Sequence, residues 1–286
     1  MNNNELLKVE DLSISFLTAS GSLQALRNVS FSIPIGGSVA IVGESGSGKS
    51  VTALALTRLL PSPPARYEKG KIFFRGRNTL DLSQQELRKI RGGGIAYIFQ
   101  EPSTSHNPVF SIRSQIAEAI RLHRPEVKEI DEEIIRCLES VGIRDAARRM
   151  HDYPHQFSGG MQQRAMIAMA LACRPDLLVA DEPTTALDVT VQAQILEELL
   201  RLRQIHRMAL LLITHNFAII RGLCDQVVVM WRGRVVECGE TELILQKPRH
   251  PYTQALLECI PRLGRGKGKL KTIDTAELEK RAADYE

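Results

Sequence analysis

The chain has few aromatics (5% of its 286 residues) and a single tryptophan, and its five cysteines include no C-x-x-C pair. Cys137, Cys173, Cys224, Cys238 and Cys259 are scattered, which suits neither a zinc site nor a disulfide framework and points to free thiols in a reducing compartment. No long apolar run is present. The longest, such as residues 208–213 and 227–231, are far too short to cross a bilayer. The N-terminal MNNNELLKVED lacks a basic stretch followed by an apolar one, so no signal peptide is expected, and a membrane link would have to come through a partner. Strong charge is missing too: the formal net charge is only +4, which gives no reason to expect nucleic acid or acidic lipid as the main partner. What is there is an ordinary globular composition, 43% hydrophobic and 24% charged, enough to bury a core.

Strand and helix patterns alternate along the chain. Leu12, Ile14 and Phe16 fall on one face of a half-buried strand, with Ser13 and Ser15 on the other, and Val29, Phe31 and Ile33 repeat the pattern. Residues 38–42, 94–99, 177–180 and 209–214 read as fully buried strands, and 225–231 with 234–238 as a hairpin turning at Arg232 and Gly233. Helical patterns cover residues 51–60, about 111–149, 158–173 and 189–207. Buried strands alternating with helices imply a parallel sheet covered on both faces. Residues 264–271, GRGKGKLK, are basic and glycine-rich and are expected to be solvated and mobile.

Two motifs carry chemistry. Gly43, Glu44, Ser45, Gly46, Ser47, Gly48, Lys49 and Ser50 match the phosphate-loop pattern G-x-x-x-x-G-K-[ST]. Glycines let successive backbone N–H groups curl around an anion, Lys49 can reach the β- and γ-phosphates of a nucleotide, and the Ser50 hydroxyl can ligate Mg²⁺. Such a pattern arises by chance in roughly one chain per hundred of this size, and here it also lies between a strand and a helix, so a plain serine–glycine linker is the weaker reading. The second motif is the apolar run 177–180 ending in Asp181 and Glu182. It puts Asp181 at the carboxyl edge of a sheet, where it can hold Mg²⁺, and Glu182 where it can orient or deprotonate a water.

With Phe157, Ser158, Gly159, Gly160, Met161, Gln162, Gln163 and Arg164, which resemble the signature LSGGQ, the chain is similar to the ATP-binding subunits of ATP-binding-cassette (ABC) transporters. The resemblance implies an α/β, P-loop NTPase fold of the ABC type. It has a mostly parallel core sheet, an antiparallel β subdomain and an inserted helical subdomain. The expected ATPase domain spans residues 1–245, with the helical subdomain at about 101–157 and a basic C-terminal extension at 246–286. The resemblance gives Gln100 the role of a Mg²⁺-sensing glutamine, and puts Thr185, Ala186, Leu187 and Asp188 in a loop crossing a dimer interface. His215 becomes the switch histidine on the γ-phosphate. Phe16 is placed on adenine, although that ring also completes the Leu12/Ile14 face. Val51 joins the nucleotide-binding loop, and Ser158, Gly159 and Gly160 of one subunit close over ATP held by another. The other six histidines show no ligand spacing.

Residues 101–108 and 247–256 resemble the oligopeptide and dipeptide importer branch, with nickel uptake as a relative. Leucine is common in that branch where His106 stands. Many members carry a cysteine cluster for an iron–sulfur centre after the C-terminal helix; this chain has only Cys259 there, so no cluster is expected. The implied cofactors are ATP and Mg²⁺. The implied partners are a second ATPase subunit, identical or different, integral-membrane permease subunits and, indirectly, an extracytoplasmic solute-binding protein. The implied place is the cytoplasmic face of the cell membrane. Rival readings are an ABC ATPase serving a soluble or nucleic-acid machine, an importer of another solute such as nickel, a small-molecule kinase, and an ATP-holding module without turnover. Ser158, Gly159 and Gly160 speak against the kinase, and Glu182 with His215 against the inert module.

Overall fold

A computed structural model describes residues 4–184 and 188–259. The chain divides into two compact units, Met1–Leu80 with Leu212–Glu286, and Asp81–Leu211.

The first unit opens with long antiparallel strands, β1 (Glu5–Thr18) and β2 (Gly21–Pro34), followed by β3 (Ser38–Val42), helix α1 (Lys49–Ala55), β4 (Ala65–Phe74) and β5 (Arg77–Asn78). β1 is the spine of a four-stranded sheet ordered β2-β1-β4-β5. Its apolar face is as expected, with Leu12 and Ile14 fully buried. The opposite face is not the solvated one that the alternation predicts, because Ser13 and Ser15 are buried as well. Each is satisfied across the sheet: Ser13 Oγ donates to Asn28 Oδ1 at 3.2 Å and Ser15 Oγ to Glu68 Oε1 at 2.5 Å. Those bonds remove the desolvation cost that would otherwise keep a hydroxyl at the surface.

β3 is buried at all five positions and pairs in parallel with β9 (Gln226–Trp231), in register from Val39↔Gln226 to Val42↔Val229. A parallel strand covered on both faces shows no alternation, which is why SVAIV is apolar almost throughout. Its start is clamped by Asp225, whose Oδ2 accepts the Ser38 amide at 2.9 Å and the Ser38 hydroxyl at 2.8 Å. β10 (Arg234–Glu240) folds back antiparallel on β9 through Arg232 and Gly233, both left-handed (φ 48° and 78°). Helices α9 (Thr241–Gln246) and α10 (Pro251–Glu258) complete the unit. The basic run at 264–271 lies outside the described residues.

In the second unit, α2 (Gln84–Ile90) precedes β6 (Ile95–Ile98), which pairs in parallel with β7 (Leu177–Asp181). Between them run α3 (Pro102–Ser105), α4 (Ile112–His123), α5 (Ile130–Ser140), α6 (Ala146–Arg149) and α7 (Gly159–Ala172); α8 (Val189–His206) follows β7. The helical stretch expected over 111–149 is three helices. The chain leaves helical geometry at Arg124 (φ −138°, just before Pro125), and turns left-handed at Gly142 (φ 75°).

Under this bundle lies an ion network. Arg124 Nη1 bonds Glu133 Oε1, both side chains being 8% exposed, and also donates to the Ala172 carbonyl at the end of α7 (3.2 Å). Arg136 and Arg174 approach the same carboxylate at 2.9 and 3.3 Å. Burial alone would raise Glu133, but hydrogen bonds from Arg124 and Arg136 outweigh it and hold the carboxyl below its ordinary 4.5. Burial pushes the thiols of Cys137 and Cys173 up to about 11, so they stay protonated. The last strand, β8 (Ala209–Thr214), is buried throughout and contains the boundary between the units.

Candidate nucleotide-binding and catalytic residues

In the first unit, the six residues 43–48 carry the chain from the end of β3 to the start of α1. Gly43, Gly46 and Gly48 have φ of 157°, 80° and 101°. Space demands glycine as firmly as conformation does. A Cβ on Gly43 would lie 2.2 Å from the Met230 carbonyl oxygen, and one on Gly48 2.7 Å from Leu26 Cδ2. Lys49 is buried, and its Nζ donates to the carbonyls of Gly43 and Glu44, both at 2.8 Å. Ser47 Oγ is buried with no hydrogen-bond partner among the described residues, while Glu44, Ser45, Gly46 and Ser50 are exposed and Val51 is half-buried. A glycine arc of this kind, with a cation folded back into it and an unsatisfied hydroxyl, suits a phosphate group.

Two more expected residues lie in this unit. Phe16 is half-buried on β1, opposite Leu23 and Ala65, so its ring is less enclosed than Leu12 and Ile14. His215 is exposed immediately beyond β8.

The second unit groups the others. Because β6 and β7 are parallel, with Ile98 opposite Ala180, their carboxyl ends share one edge. Gln100 and Glu182 lie two residues beyond that pair, and Gln100 Nε2 donates to Glu182 Oε2 at 3.2 Å. Asp181 is the last residue of β7. Glu182 has φ 46°, a left-handed backbone that a non-glycine residue adopts at a cost of about 1–3 kcal/mol, and this turn separates the directions taken by the two adjacent acids.

Ser158 caps α7, its Oγ accepting the Met161 amide at 3.4 Å. Among the described residues, a Cβ on Gly159 would meet nothing within 4 Å, and one on Gly160 only Val191 Cγ1 at 3.3 Å. Thr185, Ala186 and Leu187 fall outside the described residues; Asp188 accepts the Val191 amide at 3.0 Å.

Two residues gain contacts that their sequence context did not signal. His106 is buried, with Nε2 2.9 Å from the Gln162 carbonyl on α7. Tyr252 on α10 is fully buried and its hydroxyl accepts the Glu44 amide of the glycine loop at 2.9 Å. Tyr252 belongs to a segment noticed only for its resemblance to a transporter branch.

Residues 26–185, more than half of the chain, match the family described as ABC transporter. The chain belongs to the ABC transporter family. It carries that family's nucleotide-binding domain, and residues 236–284 match a second description, the oligopeptide/dipeptide transporter C-terminal region. Among curated relatives, the uncharacterized ABC transporter ATP-binding protein YejF of Escherichia coli (strain K12) is 52% identical over 90% of this chain and 49% of its own length. The oligopeptide transport ATP-binding protein OppD of Bacillus subtilis (strain 168) is 47% identical over 90% of this chain and 72% of its own. The chain spans about half the length of relatives such as YejF. A solved dimer of the ATP-binding cassette MJ0796, in a post-hydrolysis state bound to ADP and Pi, superposes with a TM-score of 0.73 at 27% identity, covering 82% of this chain and 98% of that one. Among the described residues of this ABC protein, no helix is long and apolar enough to cross a membrane.

Proposed function

We propose that this chain is the ATP-hydrolysing, nucleotide-binding subunit of an ABC importer for oligopeptides or dipeptides. The observation that carries the reading is one of combination. The phosphate loop, the strand-end acids and residues 158–160 share a chain with a segment matching the oligopeptide/dipeptide transporter C-terminal region. Residues 1–245 form the ATPase domain, with a helical subdomain at about 101–157, and residues 246–286 form its extension.

Residues 43–51 hold the phosphates, with the Lys49 charge offsetting that on the γ-phosphate, and Phe16 stacks on the adenine. Glu182 orients the attacking water and takes its proton, held in place by Gln100; His215 contacts the γ-phosphate. The Ser50 hydroxyl, the Gln100 amide oxygen and the Asp181 carboxylate are hard oxygen donors, exposed or half-buried, of the kind that Mg²⁺ takes. When bound, Mg²⁺ supplies neutralising charge to the phosphates.

MJ0796 forms a dimer, and a corresponding pairing of this chain with a second ATPase subunit would set residues 158–160 against nucleotide held by the partner. Permease subunits then anchor the pair peripherally at the cytoplasmic face of the membrane, fed from outside by a solute-binding protein.

Phosphate release from MgATP tests the chemistry. Glu182→Gln should bind ATP like the wild type and turn it over at least about 100-fold more slowly. Normal turnover in the variant would remove Glu182 as the base, and a wild type that binds no MgATP would overturn the functional reading.

A further inference from the structure

We infer that Tyr252 is a positioning residue for the phosphate loop: its hydroxyl seats Glu44 and, through Glu44, the Lys49 cation. The C-terminal segment that marks the transporter branch thereby also shapes the nucleotide site. This rests on the reading of residues 43–51 as the phosphate site.

The peptide units flanking Glu44 are held from both sides. Its N–H donates to Tyr252 Oη at 2.9 Å, and its carbonyl accepts Lys49 Nζ at 2.8 Å and the Ser47 amide at 3.2 Å. Three covalent steps thus separate the phenol's bond from the lysine's. Gly43, one residue earlier, is pressed against the Met230 carbonyl at the end of β9, so the loop cannot retreat on that side.

Tyr252 is itself tightly placed. Its ring stacks on Trp231, the residue after Met230, at 5.3 Å between centroids and 21° between planes. Arg232 lies over the same indole at 5.1 Å. His250 caps α10 by accepting the Tyr252 amide on Nδ1 at 3.1 Å. The Glu237 carboxylate on β10 takes the amides of Arg249 and His250 at 2.8 and 3.2 Å.

A buried tyrosine hydroxyl needs a hydrogen-bond partner, and the group that supplies it is held in place by the same bond. Here the partner is a loop amide 208 residues away in sequence. Burial pushes the phenol well above its ordinary pKa, so it remains a neutral hydroxyl across the working range.

The test uses the full-length protein and Tyr252→Phe, which keeps the ring and its stack and removes only the hydroxyl. In the nucleotide-free state, amide exchange at Glu44 should be protected in the wild type and at least tenfold faster in the variant. The Kd for MgATP should rise roughly three- to tenfold, the range expected for one hydrogen bond, with the Tm within about 2 °C. A purely structural tyrosine would lower Tm and leave Kd and Glu44 exchange alone, and that pattern overturns the inference. Trp231 is the only tryptophan, so wild-type fluorescence gives a variant-free check. MgATP should shift its emission, and binding without a shift contradicts the coupling. Should the wild type bind no MgATP, the proposed function fails, while the Glu44 exchange result still decides the role of Tyr252.

Discussion

The glycines of the phosphate loop and those at the start of α7 look alike in sequence and stand in opposite surroundings. Gly43 and Gly48 are hemmed in by their own chain, where a Cβ would come within 2.2 Å of the Met230 carbonyl and 2.7 Å of Leu26. Among the described residues Gly159 faces open space, and Gly160 meets a single methyl, Val191 Cγ1, at 3.3 Å. The first pair is required by this chain's own folding. No described residue of the chain requires Gly159, which leaves room there for something that arrives from outside. A second subunit's nucleotide, as proposed above, is such a visitor. The loop is also locked by backbone bonds and a lysine, whereas α7 is exposed at its N-terminus and anchored at its far end by Arg124 on the Ala172 carbonyl.

Cutting that anchor should have the largest effect. Arg124→Met leaves Glu133 with only the exposed Arg136 and Arg174 as partners and strips the Ala172 carbonyl of its donor, which together should cost about 3–4 kcal/mol in chemical denaturation. Acid does the same more gently. A carboxyl held below its unfolded pKa stabilises the fold above that value, and this contribution is lost as pH falls below about 4.5 and through the folded pKa. Exchange protection in α5 and α7 should therefore drop in that window before protection around the loop does. Simultaneous loss would erase the distinction between the two regions.

Gly43→Ala comes next. The obstacle is backbone and cannot swing away, so the cost should be about 3 kcal/mol, near the upper end of the usual range for overpacking. That is roughly 5 °C in Tm for a chain of this size, with MgATP binding lost. A stable, ATP-binding Gly43→Ala would show that the loop is not hemmed in.

Gly159→Ala should have the smallest effect on stability, within about 0.5 kcal/mol of wild type or slightly favourable, because alanine is the better helix former and meets no neighbour among the described residues. Binding of ATP to the isolated subunit should be unchanged and turnover should fall at least tenfold. A large drop in Tm would mean that the glycine serves the fold after all.

Much of this was legible in the sequence because it is local. Eight consecutive residues specify the phosphate loop, and a buried strand ending in two acids needs only its own apolar run to be found. β4 was missed because only Ala65, Ile72 and Phe74 of its ten residues are buried while charged side chains fill most of the rest, leaving no alternation to see. Ser13 and Ser15 misled because partners that bury a hydroxyl, here Asn28 and Glu68, lie across the sheet and not along the strand. Tyr252 was out of reach for the same reason at greater range. No periodicity in α10 says that its phenol meets a loop more than 200 residues earlier.

The most direct test of the central claim is capture of tagged Glu182→Gln from native membranes with and without ATP. The account predicts ATP-dependent recovery of integral-membrane subunits, with or without a second ATPase subunit, in a complex that binds peptides through its solute-binding protein. Recovery of soluble proteins or nucleic acid alone would leave ATP chemistry standing and contradict the transport role.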